Sequence, residues 1–257
     1  MNFPNNQDNI GGDTFTLIAR CKETGILGVA MCTSSISVGS RCPFGQARVG
    51  VGSVQAFPDP RLRSLALKLL NMGYAAPKVV DELVDSDPHI EYRQIGIVDK
   101  DGNSAAYTGS KNLLWAGHII KDNYIAMGNH LAGEKVIESM AEAFETSAGE
   151  SIEDRLMRAI EAGTVAGGQQ DSEGRAHASL FAAAILSFDW DTFPRVDLRV
   201  DHHKNPTQEL RRILELYKLL IPYYARRAAD PTIGSTDDWL RKHGGEKIYN
   251  RYHFKED

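Results

Sequence analysis

The sequence predicts a layered α+β domain, two packed sheets covered by helices. Three observations lead there. Strand-like segments come in pairs joined by turn residues, pairs of helix-like segments separate them, and the order is strands, two helices, strands, two helices, strands, one helix. No internal repeat or low-complexity linker interrupts this order, and 257 residues are enough to bury a core without staples.

Residues Thr14 to Cys21 alternate in part, with Phe15, Leu17 and Ala19 on one face and Thr16, Ile18 and Arg20 on the other. Lys22 to Gly25 is a turn and Ile26 to Met31 a second, more apolar strand, which completes a β-hairpin. Thr33 to Gly45, rich in Ser, Gly and Pro, reads as a loop. Arg48 to Phe57 reads as a strand whose glycines permit close backbone approach. Pro58-Asp59-Pro60 ends it. Leu62 to Met72 then carries Leu62, Leu65, Ala66, Leu69 and Leu70 at helical spacing, and Pro77 to Val84 is a second short helix with proline at its start.

Tyr92 to Asp99 and Ser104 to Thr108 form a hairpin around Lys100-Asp101-Gly102-Asn103. Trp115 to Ile120 and Tyr124 to Gly128 are two more strands. Amphipathic helices follow over Gly133 to Thr146 and Ser151 to Ala166, the second opened by Ser151 and Asp154 in a capping arrangement. Gly167 to Gly174 is a polar loop, Ala178 to Phe188 a buried strand and Val196 to Val200 another. Asn205-Pro206-Thr207 opens a long helix to about Tyr224, with Pro222 near its end. The expected organisation is a polar leader over 1–13, the layered domain over 14–224 and a C-terminal extension over 225–257. The extension is charged and aromatic and is expected to dock on a neighbouring subunit, which makes the protein a homo-oligomer.

Hydrophobic residues at 42% and charged residues at 25% are ordinary for a globular chain. The net charge of −5 comes without a basic block, which argues against a nucleic-acid partner. No apolar run approaches the roughly 18 residues of a membrane span, and the opening MNFPNNQDNIGGD lacks the basic start and apolar core of a signal peptide. The leader is expected to be loosely held. Cys21, Cys32 and Cys42 follow no CxxC pattern, and a sparse odd count fits a reducing compartment. The expectation is a cytoplasmic protein with no membrane partner.

Among chemical candidates Thr14 comes first. A threonine hydroxyl is a poor nucleophile without an adjacent base, but an N-terminal threonine carries one in its own α-amine, whose ordinary pKa is about 7.7 to 8.0. Threonine also favours strands for plain packing reasons, and residues 1–13 block the amine. Asn129, in the stretch Gly128-Asn129-His130-Leu131-Ala132-Gly133, reads as part of a strand-to-helix loop where backbone N–H groups hold an anion; asparagine as a helix cap is the alternative. His118, His130, His177, His202 and His203 lie in or beside strands and loops, with no HExxH spacing. Cys32, at the end of the second strand, is the best placed of the thiols to react.

Several separated stretches in order, TFTLIARCKETGILGVA, VGVGSVQAF, EYRQIGIVDKDGNSAAYTG, WAGH, GNHLAG, VIESMAEAFE and DLRVDHHKNP, resemble the domain of unknown function 1028 over about residues 14–217. That family is placed with the N-terminal-nucleophile hydrolases. The resemblance implies a four-layer αββα sandwich of two mainly antiparallel sheets. Family members begin Met-Thr-Phe-Ser, so it also sets Thr14 where loss of the initiator methionine exposes a threonine. Gln55, His118 and Asn129 match family positions, and Thr33 stands where a serine is frequent; these are the pocket residues the resemblance implies.

The chain departs from the family in its leader and in having His130 where methionine is usual. The Gly167–Gly174 loop is two residues longer, with Glu173 for arginine, and Asp201-His202-His203 replaces Asp-Asp-His. The added histidines bring His130 and His177 into the substrate-binding set.

The leading expectation is a hydrolase of a small amide or related C–N bond that needs no metal or cofactor. Thr14 attacks, its freed amine acts as base, and Asn129 with nearby N–H groups stabilises the oxyanion. One alternative keeps the leader and builds a metal or acid–base site from His130 with His118, His177 or His202. The other is a non-catalytic binding or assembly module.

Overall fold

The computed structural model describes residues 13–112, 114–170 and 174–255. Residues 1–12 of the expected leader and 171–173 of the expected polar loop lie outside the described residues. Two compact units make up the chain, one ending at Thr207 and one running from Gln208.

In the first unit, β1 (Thr14–Arg20), β2 (Leu27–Thr33), β7 (Trp115–Lys121), β8 (Tyr124–Leu131), β9 (Ala182–Phe188) and β10 (Val196–Val200) form one sheet in the order β10-β9-β2-β1-β8-β7. The strands β3 (Pro43–Gln46), β4 (Gly50–Ala56), β5 (Arg93–Asp99) and β6 (Ser104–Thr108) form the other, in chain order. Every pairing within both sheets is antiparallel. Helices α2 (Pro60–Asn71) and α3 (Ala76–Ser86) cover the four-stranded sheet; α4 (Lys135–Thr146) and α5 (Ile152–Val165) cover the six-stranded one. The inner faces of the sheets meet, so the layers stack αββα as expected.

The local reasons are those the sequence carries. Asp59 caps α2 by accepting the Arg61 N–H, with Pro60 as the first helical residue. Ser151 caps α5 by accepting the Asp154 N–H at 3.2 Å. The glycine-rich β4 does sit close to its neighbours: a Cβ on Gly52 would lie 2.5 Å from Phe44 Cζ and 2.6 Å from the Gly96 carbonyl. The short helix α1 (Val38–Arg41) and β3 were not expected: they fall in the segment read as loop, because Ser, Gly and Pro hide a four-residue strand that, among the described residues, pairs only with β4.

Helix α6 (Pro206–Ala229), which lies in the second unit from Gln208 onward, runs on through Pro222 and past Tyr224. Helix α7 (Thr236–Tyr252) follows, capped by Ser235 and interrupted by a non-helical Gly245. Leu220, Tyr223 and Leu240 form its small core, with Trp239, Ile233 and Ile248 packed around them. Among the described residues no helix is long and apolar enough to cross a membrane.

Candidate active site

The layer between the sheets changes character along the strands. Side chains at every second residue share a face, so Ile18, Val29, Ile125 and Met127 meet Val51 and Val98 in an apolar core. The same faces continue as Thr14, Thr16, Thr33 and Asn129 from one sheet and Ser53, Gln55 and Gln94 from the other, all buried. Buried polar groups must find partners, and these find one another.

Gln94 is the hub. Its Oε1 accepts from Gln55 Nε2 at 2.9 Å and from Asn129 Nδ2 at 3.1 Å. Its Nε2 lies 3.0 Å from Thr108 Oγ1, 3.0 Å from the Gly117 carbonyl and 2.9 Å from the Gly128 carbonyl. Gln55 Oε1 accepts from Thr16 Oγ1 at 2.6 Å and Ser53 Oγ at 3.1 Å, while its Nε2 also donates to the Thr14 carbonyl at 3.3 Å. Both hydrogens and both lone-pair directions of Gln55 are thereby used. It was expected to touch substrate; it holds the Thr14 backbone.

Thr14 heads β1 between Thr33 on β2 and Asn129 on β8. Its hydroxyl donates to Thr33 Oγ1 at 3.3 Å, and the Thr33 hydroxyl in turn donates to the Asp13 carbonyl. Asn129 is not in a helix-entry loop. β8 extends to Leu131, which makes Asn129 a strand residue, and α4 starts after Glu134 with no side-chain cap. The oxyanion donors that a helix N-terminus would have supplied are therefore not at Asn129; its own amide is the donor there, with one N–H given to Gln94.

The histidines separate. His118 Nδ1 lies 2.9 Å from Thr108 Oγ1, which ties it to the hub, and burial lowers its pKa so that it is neutral at pH 7. His130 Nδ1 bonds the Asp13 carboxylate. His177 is exposed on the loop after Gly174. The His202 ring rests 5.6 Å from Phe181, and His203 Nδ1 accepts the Asn205 N–H at 3.1 Å. Among the described residues no three His, Cys, Asp or Glu side chains gather as a metal cage would require.

Cys32 is not a reactive thiol. Its side chain is fully buried, 3.5 Å from Thr207 Oγ1, and burial pushes the thiol up to about 12 from 9.0, against a smaller opposing effect of the Thr207 contact. Burial therefore keeps Cys32 as the neutral thiol at pH 8. In native protein, mass mapping after iodoacetamide treatment at pH 8 is expected to find Cys32 unlabelled, and labelled in urea; native labelling would contradict this burial.

Several site residues were not singled out in the sequence, Asp13, Ser34 and Gln94 among them. Asp13 was counted as the end of a leader, Ser34 as loop, and Gln94 as part of an ordinary strand. Gln94 had a signal: it is an uncharged polar residue in a strand where its face-mates Gly96 and Val98 are apolar.

A family model described as a family of unknown function, DUF1028, matches residues 14–210. A crystal structure of protein SPO2555 from Silicibacter pomeroyi, assigned to the same family model, is 32% identical with a TM-score of 0.71, over 80% of this chain and 86% of that one. Anbu, the ancestral beta-subunit from Yersinia bercovieri, is 13% identical with a TM-score of 0.36, over 82% of this chain and 96% of that one. No curated protein matches the chain.

Proposed function

The chain belongs to the DUF1028 family, and from that premise we propose that it hydrolyses a small amide or related C–N bond with Thr14 as nucleophile once the Asp13–Thr14 bond is open. The observation that supports this reading most is the convergence at the head of β1. Thr14, Thr33 and Asn129 sit side by side on three neighbouring strands, at the polar end of the layer between the sheets.

The chemistry follows from the groups. Opening the Asp13–Thr14 bond converts the Thr14 nitrogen from an amide into an amine with a pKa near neutrality, about 7.7 to 8.0. That amine takes the hydroxyl proton, directly or through water, as Thr14 Oγ1 bonds to the substrate carbonyl carbon. The second N–H of Asn129 stabilises the charge that develops on oxygen. The C–N bond then breaks, the leaving amine takes the proton, and water cleaves the acyl ester to regenerate the hydroxyl. The bond that must open is already polarised, because the Thr33 hydroxyl donates to the Asp13 carbonyl.

Intact mass and N-terminal sequencing, combined with a screen of small amides, lactams and ureides, test this. Hydrolysis is expected to track the fraction of chains that begin with Thr14. An active preparation in which every chain begins at Met1 or Asn2 would overturn the mechanism.

A further inference from the structure

Asp13 contributes the acyl carbon bonded to the Thr14 nitrogen, so its groups occupy the acyl side of the proposed nucleophile. They are held at both ends. The carbonyl accepts from Thr33 Oγ1. The carboxylate accepts from Ser34 Oγ at 2.8 Å through one oxygen and bonds His130 Nδ1 through the other. Both the carboxylate and the imidazole are nearly buried, each about 10% exposed.

A carboxylate only accepts hydrogen bonds, so His130 presents its Nδ1–H there and Ser34 its hydroxyl hydrogen. Two donors converging on one carboxylate form a carboxylate pocket. The backbone supports the same view. His130 adopts φ 58 inside β8, a left-handed conformation that is uncommon and costly outside glycine. It is braced there by the Gln170 N–H on the His130 carbonyl at 3.0 Å and the Gln170 side chain on the Leu131 carbonyl.

We infer that His130 and Ser34 form a carboxylate-selective acyl subsite. When Asp13 has left, they receive the side-chain carboxylate of a substrate whose acyl group is shaped like aspartyl: an amide with a carboxymethyl group on the carbon next to the reacting carbonyl. The substrate class rests on the hydrolase reading above; the carboxylate pocket does not.

Two experiments separate them. In the first, full-length Asp13→Gly is titrated with sodium acetate, with acetamide and with sodium chloride of equal ionic strength, while the His130 ring resonances are followed by NMR. If the glycine variant does not fold, Asp13→Ala with formate and formamide takes its place. A saturable shift with the carboxylate alone is expected, absent in wild type and weakened about tenfold by an added Ser34→Ala. No such shift, or an equal shift with the neutral amide, overturns the subsite.

In the second experiment, chains beginning at Thr14 are given α-aspartyl and α-asparaginyl anilides. The aspartyl compound is expected to be preferred about 10- to 100-fold in kcat/KM, and His130→Gln to abolish the preference. Equal hydrolysis of the two overturns the substrate assignment. Carboxylate binding without hydrolysis of either anilide leaves the pocket standing and counts against the hydrolase reading.

Discussion

Gln94→Leu is expected to lower the stability of the fold by about 3–5 kcal/mol, read as a fall in the urea midpoint at unchanged slope. Leucine fills a similar volume but offers no hydrogen bond. It would leave the Gln55 and Asn129 amides without the oxygen they share, and would take one donor away from the Gly117 and Gly128 carbonyls. Each orphaned buried group costs about 1–3 kcal/mol. The sum overstates the effect, because water entering at this end of the layer recovers part of it. Gln94→Glu is expected to destabilise as well, since a carboxylate oxygen would face two carbonyls. A midpoint for Gln94→Leu within about 0.5 kcal/mol of wild type would show that the two sheets do not depend on this bridge.

Thr14→Val is expected to do the opposite, removing activity while sparing the fold. Valine keeps the β-branched shape that suits the head of a strand. The bond it gives up to Thr33 Oγ1 is long, 3.3 Å, and loss of a bond of that kind is expected to cost about 1 kcal/mol. Loss of the nucleophile is expected to reduce amide hydrolysis by at least about 10³-fold, even when the variant chain begins at residue 14. Progress curves and urea melts on the same preparations check both halves. A variant retaining a tenth of the wild-type rate would remove Thr14 from the chemistry. A large loss of stability would make Thr14 a core residue first.

Much of the fold was legible. The β1–β2 and β5–β6 hairpins, the paired helices and the Ser151 cap all follow from period and turn chemistry acting over a few residues. What was missed has the same physical explanation throughout. α1 and β3 carry no period. α6 runs on to Ala229, past the expected end at about Tyr224, and α7 crosses Gly244-Gly245, where local propensity is poor. Asn129 was assigned to a helix entry because β8 was ended at Gly128. The left-handed twist at His130 lies inside the strand and does not stop it.

By itself, the sequence determined the layered order, the family resemblance and the position of Thr14 at the head of a strand. Only the tertiary structure decided what surrounds Thr14. Thr16 meets Gln55 across 39 residues of chain, Asn129 meets Gln94 across 35, and His130 meets Asp13 across 117. A strand's alternation tells which residues share a face; it carries no information about which other face that one will meet. The partners of a buried polar group are fixed by strand order and register, and those exist only once both sheets have closed on each other.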